Sequence, residues 1–271
     1  MFRMKKWILV VALAVVSAFL FAGCRPEDAG SDNIIVAGST TITPVMREIA
    51  EAFESANNGL TVEIQELGTS AGINATIEGI SDIAMSSRAM SADEQAQGVH
   101  PIPFAIDGVA VVVNPNNPVS DLTLEQITAI FYGEITNWSE VGGNDVAITV
   151  VSREEGSGIR STFESFANID EVSSGAIISQ GTGGVIASVS SNVNAIGYVT
   201  TGVVSDGLKA VAINGVMFSE TTVMNGSYIF ANTFFIGIRD DLSDNAQRFV
   251  DFILSSPGQD VVSAAGYVRI Q

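Results

Sequence analysis

The sequence predicts an α/β fold built on a mostly parallel sheet. Three observations predict it. A unit of strand, Gly/Ser/Thr turn and helix occurs three times, with turns at Gly38-Ser39-Thr40, Gly68-Thr69-Ser70-Ala71-Gly72 and Gly156-Ser157-Gly158. A continuous apolar run, GVAVVV at 108–113, reads as a central strand buried on both faces. Short strands and amphipathic helices alternate along the chain, the rhythm of a sheet with helices packed on it. The chain has 271 residues and is 46% apolar, enough for one or two domains with their own cores.

In chain order, NIIVA (33–37) is a strand running into the first glycine-hydroxyl turn. Thr43-Pro44 supplies an N-cap and a first-turn proline. Val45, Ile49, Ala52 and Phe53 form the buried stripe of the helix that follows, which ends near Asn57-Asn58-Gly59. TVEIQ (61–65) is the next strand, and Ile73, Ile77 and Ile80 mark the next helix. Residues 81–85 form a third strand, and 105–113 contains the apolar central one. Thr123 and Gln126 make a capping box for a helix through Ile130. Residues 131–143 are turn-rich, with Tyr132 and Trp138 as packing anchors. A strand over 147–151 opens into REEGSGIR (153–160), and Ile159, Phe163 and Phe166 follow at helical spacing. A Gly-rich loop at 180–184 precedes a helix toward Val189 and a strand at 195–199. Strands follow at 208–213 and 229–238, and a helix over about 241–255 turns Ala246, Phe249, Val250 and Ile253 inward. His100, beside Pro101, reads as a loop residue.

The N-terminus is a separate object. Arg3, Lys5 and Lys6 precede the apolar run WILVVALAVVSAFLF (7–21), and Ala22-Gly23-Cys24 precedes an abrupt change to RPEDAGSDN. This is an export signal (1–24) with a lipidation site at Cys24 and a polar tether over 25–32. The alternative is an uncleaved anchor helix. In both readings the folded part lies outside the cytoplasm, tethered to a membrane.

Composition excludes several classes. Cys24 is the only cysteine, so no intrachain disulfide and no cysteine nucleophile are expected. His100 is the only histidine, which removes a His-rich metal site and leaves a Ser-His-Asp triad one candidate. No metal and no cofactor are expected, and no enzyme. Beyond Cys24 there are nine basic and 30 acidic residues, a net charge near −21. Nucleic-acid binding lacks its basic footprint. An anion must be drawn in locally, against the overall field.

Each glycine-hydroxyl turn can present backbone N–H groups and hydroxyls to an anion at a helix N-terminus. None fits the G-x-x-x-x-G-K-[ST] nucleotide motif. Arg153 sits at a strand end, where its fork suits a tetrahedral oxyanion. Arg160 reads instead as the i,i+4 partner of Glu164.

The segments GSTTITPVMREIAEAF (38–53), GTSAGI (68–73), SDIAMSSR (81–88), FAIDGVAVVVNPNNP (104–118), LTLEQITAIFYGEITNWSEVGG (122–143), VVSREEGSGIRSTFESF (150–166) and AIGYV (195–199) resemble those of the phosphate-binding lipoproteins. These are the solute receptors of bacterial phosphate ABC importers. The resemblance spans nearly the whole exported chain. It implies a two-lobed periplasmic-binding-protein fold (type II) with two extended crossings, near 107–114 and 227–233. Lobe one would be 33–110 plus 230–271, and lobe two 111–229. It further implies a monomer that binds inorganic phosphate in the cleft and presents it to ABC permease subunits.

Carried over, the ligand contacts fall on Ser39, Thr40, Thr69, Ser70, Asp82, Arg153, Glu155, Ser157, Gly158 and Ile159. Asp82 would accept a hydrogen bond from protonated phosphate and so repel sulfate, which has no proton to give. The alternative for Asp82 is a strand cap or a partner of Arg88. Glu155 would orient Arg153 or serve as a second acceptor, and Glu154 would be a solvated turn residue. Two positions depart from the pattern. Ile159 stands where family members commonly carry threonine, and Asn232 where arginine is frequent. A receptor for another oxyanion, and a surface lipoprotein with a scaffolding or adhesive role, remain alternatives. A lipid-tethered hydrolase is the weakest reading.

Overall fold

The structure is a computed structural model, and it describes residues 32–270 apart from residue 206. The export segment and Cys24 lie outside the described residues. Residues 33–271 form one compact unit. Among the described residues no helix is long and apolar enough to cross a membrane.

The first parallel group is β1 (Asn33–Gly38) between β2 (Thr61–Glu66) and β3 (Ile83–Ser86), with Val36 opposite both Ile64 and Ile83. The second is β6 (Thr149–Arg153) between β7 (Ile177–Ser179) and β8 (Ala195–Thr200). One 14-residue strand, β4 (His100–Val113), joins them. It runs antiparallel to β8 on one side and to β11 (Ala231–Ile238) on the other, and β11 pairs in turn with β3. The sheet order is β2-β1-β3-β11-β4-β8-β6-β7. Near-continuous burial of β3, β8 and the last half of β4 explains why these segments read as apolar runs rather than alternations.

Two large apolar cores flank the joining strands. The first gathers Val36, Met46, Phe53, Phe104, Phe234 and Phe249. The helix α1 (Thr43–Ala56) supplies Phe53, whose ring meets those of Phe249 and Phe252 edge-on at 5.0 and 5.6 Å. The second core gathers Val111, Phe131, Trp138, Phe163, Tyr198 and Phe230. Phe163 stacks on Tyr198 at 4.1 Å and meets Phe131 at 4.6 Å. The helices α2 (Thr69–Ile77), α3 (Ala92–Ala96), α4 (Leu124–Tyr132), α5 (Gly158–Ala167) and α6 (Gly181–Ser191) follow their strands as the alternating pattern requires. Further on come α7 (Glu220–Met224), α8 (Asp244–Leu254) and α9 (Ser256–Ala264).

Several local expectations change. Thr43 is the first residue of α1 rather than its cap, and Ile42 holds the cap position without a side-chain bond. Ile80 lies beyond the end of α2 and is exposed, because Gly79 adopts φ 73° and turns the chain. His100 opens β4 and lies 3.1 Å from Asp240, so it is a strand residue and not a loop one. The C-terminal helix is followed at once by a second. Ser255 ends α8 and accepts the Gly258 amide at 3.3 Å, while Pro257 starts α9 where no amide is needed. The expected strand at 208–213 is two short pairings, β9 (Lys209–Ala210) on β4 and β10 (Ala212–Ile213) on β5 (Asp121–Leu122). Trp138 is buried as an anchor should be, with Nε1 donating to the Asn194 carbonyl at 2.9 Å.

On β4 the buried residues of the first core end at Ala105 and those of the second begin at Val109, with half-buried Ile106 also packed on the second. Asp107 lies between them, opposite Asn232 of β11, and is buried. Thr201 Oγ1 donates to its Oδ1. Its Oδ2 has no hydrogen-bond partner, and neither do Thr200 Oγ1 and Tyr267 Oη, all of them buried. Burial pushes the Asp107 carboxyl up to about 7, outweighing the Thr201, Gly108 and Gly202 donors that favour its charged form. An unfolded aspartate ionises near 3.9. Between these values the folded chain holds a proton that the unfolded chain has released, so stability falls as pH rises from about 4 through 7. Asp107→Asn keeps an acceptor for Thr201 and adds a donor. Urea unfolding should find it more stable than the parent at pH 8, with the gap closing toward pH 5.

Candidate functional site

The three glycine-hydroxyl turns follow β1, β2 and β6 and converge at the C-terminal ends of those strands. Strand order places them there, since loops after parallel neighbours share one edge of the sheet. Gly38 lies at φ 143° with its Cα against β3, and a side chain there would collide with the Met85 carbonyl. Gly72 of α2 packs against the Gly38 backbone in the same way. These two glycines let α2 sit directly on the first turn, and the Gly68 amide donates to the Gly38 carbonyl at 2.8 Å.

The result is a buried hydroxyl cluster. Ser39 Oγ donates to Ser87 Oγ at 2.9 Å, and Thr69 Oγ1 lies 3.3 Å from the same atom. All three residues are buried. Gly158, the first residue of α5, closes the cluster from the second core. A side chain there would strike Thr69 Oγ1 and come within 2.6 Å of Ser87 Oγ. Ser157 caps α5, accepting the Arg160 amide at 3.5 Å. The N-termini of α2 and α5 thus face one another, and the Ser70 amide donates to the Gly156 carbonyl at 3.2 Å. Two helix N-termini and a set of hydroxyls make a place where negative charge is stabilised.

Arg153 ends β6 and is 2% exposed. Its backbone is held from below, because its amide donates to Tyr198 Oη at 3.2 Å and Arg160 Nη1 donates to its carbonyl at 3.0 Å. Its guanidinium grips Glu154 with Nε and Nη2 at 2.8 and 2.7 Å. Nη2 also donates to Thr40 Oγ1 at 3.2 Å, and Nη1 to Thr182 Oγ1 at 3.4 Å. Burial alone would raise the Glu154 carboxyl, but the Arg153 hydrogen bonds and charge outweigh it and hold it below the usual range.

Ser39, Thr40, Thr69, Ser70, Arg153, Ser157 and Gly158 therefore share one region between the cores. Ile159 adjoins them through its backbone, while its side chain is buried in the second core. Two expected contacts are not there. Asp82 stands at the opposite end of β3, where its Oδ2 accepts the Ile35 amide at 2.8 Å. The four residues of β3 separate it from Ser87, five steps or roughly 16 Å. It caps the edge of β1, and Arg88 pairs instead with Glu94 at 2.6 Å. Glu155 is exposed, and the orienting partner of Arg153 is Glu154, which holds the guanidinium from the neighbouring position. Glu154 is thus no solvated turn residue. Arg160 meets Glu164 at 2.6 Å, as its spacing suggests.

Sequence reasoning passed over three residues. Ser87 lies in SDIAMSSR, one residue past the end of β3, where a strand-end hydroxyl was the available signal. Asn232 Nδ2 and Thr162 Oγ1 both donate to the Ser87 carbonyl, at 3.0 and 3.1 Å, and fix it from the second crossing and from α5. Thr182 lies in the stretch expected to be a Gly-rich loop, which is the first turn of α6 and gave no sign of its partners. Among the described residues no group of three or more histidine, cysteine or acidic side chains could hold a metal.

A family model described as a PBP superfamily domain matches residues 24–257. A substrate-binding protein from Clostridium perfringens, crystallised with bound phosphate, is 39% identical, with TM-score 0.86 over 88% of this chain and 100% of its own. An ABC-type phosphate transport receptor from Vibrio cholerae is 32% identical, with TM-score 0.73 over 88% and 100%. The phosphate-binding protein PstS of Borreliella burgdorferi is 29% identical over 282 residues, 99% of this chain and all of the relative.

The position of Asp82 has a direct consequence. Asp82→Ala should lower the unfolding free energy by about 1 kcal/mol, the net worth of one intramolecular hydrogen bond. Anion preference should stay as in the parent. Urea unfolding and an anion competition series measure the two effects separately.

Proposed function

The chain belongs to the PBP superfamily, and on that premise we propose that it is an extracytoplasmic receptor that binds inorganic phosphate and delivers it to an ABC-type membrane permease. The family consists of substrate-binding receptors rather than enzymes. The observation that carries the reading is the buried Ser39–Thr69–Ser87 cluster between two helix N-termini, with the Arg153 guanidinium beside it. Tetrahedral phosphate offers four oxygens. Hydroxyls of Ser39, Thr69, Ser87 and Ser157, amides at the start of α5 (Gly158 and Ile159), and Arg153 supply donors from several directions, with Thr40 and Ser70 at the margin. A hydroxyl both donates and accepts, so Ser87 or Ser39 can also take the proton of a P–OH group. The relatives' names and the bound phosphate in one of them support the ligand.

The lobes we assign are 33–110 with 230–271, and 111–229, the split suggested by where β4 and β11 pass between the two cores. Cross-cleft bonds such as Ser70 to Gly156 and Thr162 to Ser87 describe a closed arrangement. The protein would work as a monomer, anchored through a lipidated Cys24 on the outer side of the cell membrane.

A receptor for another oxyanion is the second reading. Asp82 is far from the cluster, so the repulsive carboxylate that would exclude sulfate is not supplied by that residue.

Calorimetry on protein unfolded, stripped and refolded should give one phosphate bound per chain, and weaker heat with sulfate. Arg153→Ala leaves Glu154 unpaired and removes a buried cation, and affinity should fall by about 100-fold or more. Absence of any phosphate heat in the refolded parent would overturn the reading.

A further inference from the structure

We propose that Thr182, in the first turn of α6, is a positioning residue that latches the closed cleft by joining Thr40 of the first core to the Arg153 guanidinium of the second. The inference rests on the receptor reading and adds a group outside the ligand contacts assigned above.

The hydrogen bonds around Thr182 have a forced direction. Thr40 Oγ1 accepts from Arg153 Nη2 and from the Thr182 amide, both at 3.2 Å. A hydroxyl has two acceptor sites and one proton. With both sites taken, Thr40 must donate its proton to Thr182 Oγ1, 3.3 Å away. Thr182 Oγ1 also receives Arg153 Nη1 at 3.4 Å. Its acceptor sites are then full as well, and its own proton goes to Thr41 Oγ1 at 3.4 Å. The chain of donors runs one way, from the arginine through Thr40 and Thr182 to Thr41. Thr182 is 5% exposed and Thr41 is buried, so their hydroxyls cannot turn to bulk water instead.

The backbone is set to match. Gly181 lies at φ 64°, a left-handed conformation that favours glycine, and its amide donates to Glu154 Oε2 at 3.2 Å. The first turn of α6 therefore holds the carboxylate that orients Arg153 and the hydroxyl that completes it. Thr40 and Thr41 follow β1, whereas Arg153, Glu154 and Thr182 belong to the other half of the sheet. The Thr40–Thr182 bonds can form only when the two halves meet. An interaction present in the closed state alone shifts the open–closed equilibrium by its full worth and slows ligand release. The encounter step, which starts from the open state, does not use it.

Thr182→Val keeps the shape and removes the hydroxyl, while Thr182→Ser keeps the hydroxyl. In stopped-flow measurements with inorganic phosphate, Thr182→Val should release the anion about tenfold faster, with the association rate within twofold of the parent. Thr182→Ser should stay within about twofold in both rates. Small-angle scattering without ligand should show a larger radius of gyration for Thr182→Val than for the parent. An unchanged release rate, a loss carried by association, or a serine variant as impaired as the valine one overturns the latch. If the valine variant does not fold, Thr182→Ala against Thr182→Ser makes the same comparison. A parent that binds no phosphate defeats the receptor reading, and the scattering comparison then still decides the latch.

Discussion

Arg153 carries a permanent charge at a position 2% exposed, and a guanidinium there needs a partner for nearly every N–H it has. It has five. Two go to Glu154, one to Thr40 and one to Thr182. The rest of the site follows from meeting that demand. The β6 end must be rigid, so Tyr198 and Arg160 hold its backbone. Glu154 must stay ionised, so it takes the Gly181 amide as well as the guanidinium. Two of the five donors reach hydroxyls that converge only when the first core stands against the second. A buried cation left half-satisfied is costly, and the cost falls when the cleft is shut.

The same economy governs the passage between the cores. One strand, β4, and its antiparallel neighbour β11 carry the chain across, and both must bury polar groups there. Asn232 meets this by donating to the Ser87 carbonyl, which also receives Thr162. A polar side chain on the crossing thus reaches into the hydroxyl cluster and ties it to the strand about which the halves are joined. Asp107, directly opposite on β4, meets it differently. Burial favours the neutral form of its carboxyl, and a protonated oxygen can donate where a charged one cannot.

Most of the framework was legible because it rests on periodicity and on turn chemistry. The three glycine-hydroxyl turns, the apolar stretch of β4 and the Thr123 capping box each depend on residues close together in sequence. The grouping of the hydroxyls with Arg153 that the structure brings together was legible for the same reason. The errors fall on choices that local sequence does not make. Asp82 and Ser87 flank the same short strand, and which end of it meets the other turns is decided by pairing with β1 and β11, not by the segment itself. Glu154 and Glu155 are adjacent acids on one turn. The first lies next to the guanidinium and the amide of Gly181, 27 residues away, and nothing in REEGSGIR encodes that amide. Thr182 was hidden for the same reason, since its partners lie about 140 residues earlier.

The net charge of −18 makes the local arrangement more demanding. An anion approaching this surface is opposed by the overall field, so attraction must come from groups that act at contact range. Hydroxyls and amides at helix N-termini do so without adding cations to the surface. Arg153 adds one cation, but Glu154 occupies its Nε edge, so an incoming anion can address only the Nη edge, where one Nη1 N–H remains beside the bonds to Thr40 and Thr182. Negative charge inside REEGSGIR is then no contradiction. Glu154 offsets the cost of burying the arginine and fixes which edge of it stays available. That edge faces the turn after β1, so the residue that screens Arg153 also sets the direction from which an anion between the cores can meet it.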